Sequence, residues 1–158
     1  MDALPFSLPP LEAVLLRSRA EALSALSGAG WRPYATPITL DPEQRRILNV
    51  DLTEPEMAFY RGEDLIAVAH VEADLAGRVT LLELTGGSPV PPETLAAALL
   101  AEPGEPRLRG GAEAREWVWG PESGSDATVR GEPVRLWACT ESAYGDRLWA
   151  IATVVRRG

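Results

Sequence analysis

The chain has 158 residues, of which 46% are hydrophobic and 24% charged, and it carries a formal net charge of −8. These values are typical of one folded domain and disfavour a disordered or membrane-embedded protein. All 15 basic residues are arginine, and the chain holds one histidine and one cysteine. Lysine-dependent catalysis and a structural Cys/His zinc site are therefore excluded.

The excess of acidic residues indicates which partners the protein can bind, and the cysteine count and the N-terminal residues indicate its location. Twenty-three acidic residues argue against direct contact with nucleic-acid phosphates and favour encounters with basic proteins, although solubility alone also explains them. One cysteine cannot form an intramolecular disulfide, and residues Met1–Pro5 lack the basic and apolar regions of a signal peptide. We therefore expect a cytoplasmic protein that binds neither membranes nor nucleic acid directly.

The first predicted element is an amphipathic helix over residues 10–27. Pro10 suits its first turn, and Gly28 or Gly30 suits its end. Between them apolar residues recur every three or four positions, as on one face of a helix. These residues are Leu11, Val14, Leu15, Ala22, Leu23 and Leu26.

From Trp31 onward the apolar period changes to two, which predicts strands. Short turns such as Asp41-Pro42 and Asp74–Gly77 separate these strands, so neighbours pair antiparallel rather than through long crossovers. The predicted strands cover residues 34–40, 46–52, 56–61, 65–73 and 78–85.

A second short helix is predicted over Glu93–Ala101, followed by a second set of strands. Together the elements predict an α+β fold in a single domain over residues 1–158: antiparallel β-meanders with an N-terminal amphipathic helix and a second short helix. The later strands lie near residues 114–119, 126–130, 134–141 and 148–155, with a Gly/Ser-rich connection at 120–125 and a hairpin turn at 142–146.

A shift of 69 residues aligns parts of the two halves of the chain. It matches Arg61-Gly62-Glu63 with Arg130-Gly131-Glu132, and Ala69 with Ala138. An internal α-β4 duplication explains these matches, and so does hairpin chemistry shared by unrelated turns. Repeated halves could join edge to edge into one curved sheet with both helices on its apolar side. The half-repeats would cover residues 10–85 and 91–156.

His70 is a candidate for chemistry. Strand alternation places it on one face with Ile66, Val68 and Glu72, so a His-Glu pair is sterically available. Acyl transfer would also need a nucleophile and an oxyanion hole, and the chain has no Gly-x-Ser-x-Gly elbow. We expect a structural or surface histidine and assign no catalytic, cofactor-binding or metal-binding residue. A small-molecule pocket or small hydrolase site near His70 is the alternative.

Three other features have plainer explanations. Cys139 lies in an apolar strand near an acid, which predicts a buried, unreactive thiol. Gly86-Gly87-Ser88 precedes a helix, but the prolines that follow lack the N–H donors of a phosphate cradle. Carboxylates near strand ends, such as Asp51 and Glu54, form no calcium-loop pattern and are expected at a solvated rim.

Tryptophans are the candidate partner-binding residues. Two of them share one strand face by period two, so the group could form a cross-strand ladder. Exposed, such a ladder would bind a partner protein, a sugar or a base, whereas buried it would be ordinary core. The residues are Trp117, Trp119, Trp137 and Trp149, of which the first two share the face.

The order of elements resembles the type III secretion chaperone-like fold, including the YbjN-like proteins. Pro10–Leu26 would match the first helix of those proteins, Asn49–Val71 the first hairpins and Thr94–Leu100 the middle helix. The chain departs from them in ending on a strand, Leu148–Val155, and in its Trp-rich final hairpin. The resemblance implies a homodimer that binds other proteins through sheet surface or an exposed edge, without cofactor or turnover.

The first functional hypothesis is therefore a non-enzymatic chaperone-like or adaptor protein. It would homodimerise, bind partner proteins and use no cofactor, and basic nucleic-acid-binding proteins are one class of partner that fits its charge. The second hypothesis is a small-molecule-binding module or hydrolase, with His70, Glu72 and the tryptophans lining a pocket. A third, an antitoxin or immunity-type inhibitor, differs from the first only in having one dedicated target.

Overall fold

The computed structural model describes residues 4–34, 56–86, 90–109, 116–121, 127–139 and 148–155. Within these ranges the chain forms two α-helices, one short 3-10 helix (Leu11–Ala13) and nine strands, which confirms the α+β fold class. The helices are α1 (Arg19–Gly28) and α2 (Pro92–Leu99). The strands are β1 (Arg32–Tyr34), β2 (Glu56–Arg61), β3 (Asp64–Ala73), β4 (Val79–Gly86), β5 (Arg107–Arg109), β6 (Glu116–Trp119), β7 (Thr128–Val129), β8 (Glu132–Cys139) and β9 (Leu148–Val154).

The strands join one antiparallel sheet in the order β1-β2-β3-β4-β9-β8-β6-β5, with β7 paired to the start of β8. The predicted strands that fall within the described ranges coincide with β2, β3, β4, β6, β7, β8 and β9. The sequence did not predict β5. The predicted strand over 46–52, most of that over 34–40, and the turn at 142–146 lie outside the described residues.

The predicted continuous helix over residues 10–27 is wrong. Its first turn is a 3-10 helix, and α1 begins only after residue 18, because Leu16 adopts a left-handed conformation with φ 64°. Here the chain contacts β4: Leu16 N–H donates to the Val79 carbonyl at 2.7 Å, and Val79 N–H donates to the Arg17 carbonyl at 2.8 Å. The two helices and the turn between them nevertheless bury most of the predicted apolar face: Leu11, Val14, Leu15, Ala22 and Leu26.

A capping box fixes the start of α1. The Ser18 Oγ accepts a hydrogen bond from Glu21 N–H at 3.2 Å, and the Glu21 Oε1 accepts one from Ser18 N–H at 3.3 Å. Arg17 Nη1 lies 3.5 Å from the other carboxylate oxygen of Glu21. These hydrogen bonds satisfy donors that the first helical turn would otherwise leave unpaired.

The hydrophobic core lies between the helices and one face of the sheet, which we call the core face. Cross-strand pairing carries one row of core residues over the strands, from Met57 through Ala69, Leu84 and Ala150 to Ala138. Small residues recur in this row, which lets the helices approach the sheet closely. The helices contribute Ala22 and Leu26 from α1, and Leu95, Ala96 and Leu99 from α2.

The N-terminal segment closes one end of this core. Phe6, Trp31 and Phe59 form three edge-to-face pairs with ring centroids 5.8, 6.3 and 5.6 Å apart. The Trp31 Nε1–H donates to the Ser7 carbonyl at 2.7 Å, so the buried indole keeps a polar partner. The Pro-rich start of the described chain is therefore held by aromatic packing.

The sheet order is symmetric about the β4–β9 pair, in which the final described strand of each half meets the other. Ala69 and Ala138, which the 69-residue shift matches, both face the core. In the next strand the 69-residue shift no longer matches residues on the same face of the sheet. Leu82 faces the core, whereas its counterpart Ile151 lies on the opposite face.

The matched Arg-Gly-Glu triplets also differ in structure. The two-residue hairpin loop is Gly62-Glu63 between β2 and β3, but Arg130-Gly131 between β7 and β8. Both residues of the second loop have positive φ, 51° and 82°, as a type I′ turn requires. The triplets therefore do not occupy equivalent turn positions, and a duplication stays a prediction.

Candidate functional site

The sheet face opposite the core face carries the candidate site, and we call it the outer face. Cross-strand pairing aligns its residues in rows. Its hydrophobic residues lie outside the core cluster, and most of its side chains are half-buried and so reachable from solvent. The outer face comprises Arg32, Tyr34, Glu56, Ala58, Val68, His70, Glu72, Leu81, Glu83, Thr85, Arg107, Glu116, Val118, Arg135, Trp137, Cys139, Ile151 and Thr153.

Ile151, Trp137 and Val118 form an apolar strip across β9, β8 and β6. Ile151 pairs with Trp137, and Trp137 pairs with Val118, so their Cβ atoms are about 5 Å apart. The Trp137 Nε1–H donates to Glu116 Oε1 at 3.1 Å, which orients the indole on this face. Trp137 and Ile151 are half-buried, whereas Val118 is fully buried. The apolar strip thus has an oriented aromatic centre that is partly open to solvent.

An acidic patch, defined as Glu56, His70, Glu72 and Glu83, adjoins the apolar strip on β2, β3 and β4. His70 pairs with Glu83, and Glu83 pairs with Ile151, so one row of residues joins the patch to the strip. The His70 Nε2 lies 3.3 Å from Glu72 Oε1, and the two side chains are 30% and 58% exposed. The strand alternation predicted for His70 and Glu72 is confirmed.

A depression of about 230 Å³ lies beside His70. Its described lining holds one hydroxyl, from Thr85, and no serine or cysteine, so the nucleophile usual in acyl transfer is not among these residues. The lining also holds no tryptophan, because Trp137 lies on the same face but on β8, two strands from β4 and three from β3, which carries His70. The residues that line the depression are Glu56, Val68, His70, Glu83 and Thr85.

The structure separates the predicted tryptophan group. Trp119 is buried in the core, where its Nε1–H donates to the Gly104 carbonyl at 3.2 Å, so a partner cannot reach it. Trp117 is half-buried on the same face, as period two predicted. Trp137 lies on the outer face because of its register with β6, so a ladder that joins it to Trp117 and Trp119 is wrong. The side chain of Trp149 lies outside the described part of the chain.

Cys139 is buried at the end of β8, as predicted. Burial, and then the carboxylate of its cross-strand partner Glu116, raise the pKa of the Cys139 thiol. The thiol therefore stays protonated at neutral pH and is a poor nucleophile.

A second depression, of about 500 Å³, was not predicted. It lies between the end of α2 and β7, with Glu12 and Glu102 among otherwise mainly apolar and backbone walls. Its walls come from three separate segments, which include Pro10 and residues 97–102 and 127–129. No local pattern could reveal it, since only the tertiary fold brings these segments together.

The sequence also left Ile151 unassigned, although a signal for it exists. Strand β9 alternates the small core residues Ala150 and Ala152 with the larger outward residues Ile151 and Thr153. A strand that places its smaller side chains inward and its larger ones outward indicates a close helix layer on one face and an apolar surface on the other.

No protein-family model matches the chain, and comparisons with curated proteins and with solved structures also give no match. Among the described residues, no helix combines the length and apolarity needed to cross a membrane. The same ranges contain no group of three or more His, Cys, Asp and Glu side chains suited to hold a metal ion.

Proposed function

We propose that the protein is a non-enzymatic, chaperone-like adaptor that binds a partner protein through the outer face. The observation that carries the proposal is the apolar strip, with Trp137 oriented at its centre, beside the acidic patch. An aromatic anchor in an apolar centre with a charged rim is the usual composition of a protein interface. The partner presents a basic surface, because the patch supplies three carboxylates and the chain carries −8 overall.

Homodimerisation and a cytoplasmic location belong to the same proposal, as does the resemblance to type III secretion chaperone-like proteins. The α+β class of the fold is compatible with that resemblance, and the single buried cysteine is compatible with a reducing compartment. Sedimentation of the purified chain at two salt concentrations measures the oligomeric state. A monomer at both concentrations would remove the homodimer from the proposal.

Site-specific photo-crosslinking tests the binding face. A benzoylphenylalanine at Thr153, on the outer face beside the apolar strip, is expected to crosslink a basic protein in extracts of the source organism at low salt. The matched control carries the same group at Ser24, an exposed position of α1. The captured protein, once purified, should bind the wild-type chain at least tenfold more tightly than Ile151→Ser, because that change removes apolar contact area.

Crosslinking from Ser24 but not from Thr153, or equal affinity of wild type and Ile151→Ser, would contradict the proposal. If the captured protein is a single enzyme or toxin whose activity the chain blocks, the adaptor is of the inhibitor type. Several unrelated basic partners would instead favour the chaperone-like form.

The depression beside His70 favours a second candidate function, binding of a small cationic molecule. Its volume of about 230 Å³ lies just below the range of about 300–1,000 Å³ typical of ligand pockets. A thermal-shift screen of small amines would test this candidate, with Val68→Phe as the variant that fills the depression. Stabilisation of the wild type that is lost in Val68→Phe supports it, and equal responses of the two proteins count against it.

A further inference from the structure

The outer face has two unlike halves. Strands β2, β3 and β4 carry the acidic patch, whereas β9, β8 and β6 carry the apolar strip. Glu83 and Ile151 are direct cross-strand partners, so the boundary falls between β4 and β9. On the apolar half, Arg135 on β8 and Arg107 on β5 outnumber the one carboxylate, that of Glu116 on β6, so negative charge is concentrated on the β4 side. A partner that covers both halves must be apolar over β9 and β8 and basic toward β4.

A helix is the element that suits this face. Helices pack on sheet faces, whereas extended segments pair with sheet edges. Among the described strands, β1 and β5 form the two edges of the sheet with three residues each, and β1 contains Pro33, which has no N–H to donate. Both described helices contribute their buried side chains to the core on the other side of the sheet. Within the described ranges no helix packs on the outer face, so its half-buried side chains can take a helix from a partner.

Building on the proposed function, we infer that the outer face binds an amphipathic helix of the partner. Its apolar side packs on Ile151 and Trp137, and lysine or arginine side chains along one flank lie above Glu83 and Glu72. Neighbouring strands are about 4.8 Å apart and a helix with its side chains is about 10–12 Å wide. A helix seated over β9 and β8 thus brings its flank over β4, within reach of β3.

Titration of the full-length chain with designed peptides tests this inference. The probe is a capped peptide of about 18 residues with leucines on one helical face and lysines along one flank. A matched peptide carries glutamates in place of the lysines. Binding is measured by calorimetry, and the contact surface is mapped by shifts of backbone amide resonances. We expect the basic peptide to bind, with the largest shifts in β4, β9 and β8, and the acidic peptide to bind at least tenfold more weakly.

Three variants separate the contributions. Glu83→Gln is expected to weaken binding of the basic peptide about twofold to fivefold, and Ile151→Thr about tenfold. Glu63→Gln makes the same charge change in the exposed β2–β3 loop and should leave the affinity unchanged. A loss equal to that of Glu83→Gln would overturn the inference, because binding would then follow net charge alone.

The remaining outcomes distinguish this inference from the proposed function. If both peptides bind the outer face with equal affinity, the basic flank is wrong, while partner binding through this face stands. If neither peptide shifts the outer-face resonances although Thr153 still crosslinks a protein, the helical occupant is wrong and the adaptor function stands. If neither peptide shifts the outer-face resonances and Thr153 crosslinks no protein, both the inference and the proposed function are wrong.

Discussion

Cys139 is buried and lies beside the carboxylate of Glu116, and both features raise the pKa of its thiol. Loss of solvation and the negative charge of Glu116 each disfavour the thiolate, so the pKa of Cys139 is higher in the folded chain than in the unfolded chain. A group of this kind stabilises the fold fully below its unfolded pKa, and the contribution is lost as the pH rises toward its folded pKa. The ionisation of Cys139 therefore makes the free energy of unfolding depend on pH only in alkaline solution.

We expect the free energy of unfolding of the wild type to decline more steeply with pH than that of Cys139→Ala above pH 9.0, the ordinary value for the thiol. Urea denaturation of both proteins at several pH values between about 7 and 10 measures this pH dependence of the free energy of unfolding. The variant is also less stable at neutral pH, because it leaves a small cavity. Parallel pH profiles would show that the thiol ionises equally in both states.

Ser18 is the residue on which the start of α1 depends. Ser18→Ala should lower the free energy of unfolding by about 1 kcal/mol, because the cap is lost. The hydrogen bonds from Ser18 lower the pKa of Glu21, with Arg17 adding to the effect. Glu21 therefore stabilises the fold above its ordinary pKa of 4.5, and this contribution is lost as the pH falls below that value. The difference in the free energy of unfolding between Ser18→Ala and wild type should therefore become smaller as the pH falls below 4.5.

Ser24→Ala is the matched control, since Ser24 is exposed within α1 and takes no part in the cap. Alanine has the higher helix propensity, so this variant should be unchanged or slightly more stable. Chemical denaturation of both variants between about pH 3 and 7 makes the comparison. A pH-independent loss in Ser18→Ala would show that Glu21 is not coupled to the cap.

At the scale of elements, the strands were predictable and their pairing was not. Alternation of apolar residues is a local signal that can be read within each strand's own sequence. It therefore predicted seven of the nine described strands and the sheet face on which His70 lies. The break at Leu16 was missed because backbone contacts with Val79, distant in sequence, hold it in place. The separation of Trp137 from Trp117 was missed for a similar reason, since it depends on the register between β6 and β8.

The β7–β8 hairpin offers a prediction at this scale. Arg130 has φ 51° in the two-residue loop, a left-handed conformation that costs most non-glycine residues about 1–2 kcal/mol. Arg130→Asn creates the Asn-Gly pair that a type I′ turn prefers, and it should stabilise the chain by about 0.5–1 kcal/mol. The control is Arg61→Asn, at a hairpin position without positive φ. A gain in both variants, measured by thermal unfolding, would point to charge rather than backbone conformation.

For the whole molecule, the β4–β9 pair is the centre of the sheet and joins its two halves. Both strands are bonded on each side, and their inward residues Leu82, Leu84, Ala150 and Ala152 are buried. Strands at the centre of a sheet open only with the whole structure, whereas edge strands open locally.

Hydrogen exchange tests this order of stability. The backbone amides of β4 and β9 should exchange most slowly, at a rate set by global unfolding, and those of β1 and β5 most rapidly. Amide exchange followed by mass spectrometry of peptic fragments resolves these strands. Exchange of β9 as fast as that of β5 would show that the two halves separate before either unfolds.

The central position of β9 has a consequence during biosynthesis. The ribosome completes β4 long before it makes β9, and in that interval the growing chain exposes the β4 edge with its unpaired N–H and C=O groups. Such an edge pairs readily with another chain. Translation speed between α2 and β9 thus sets how long the nascent protein is open to aggregation, and slow codons there would reduce the soluble yield without changing a single residue.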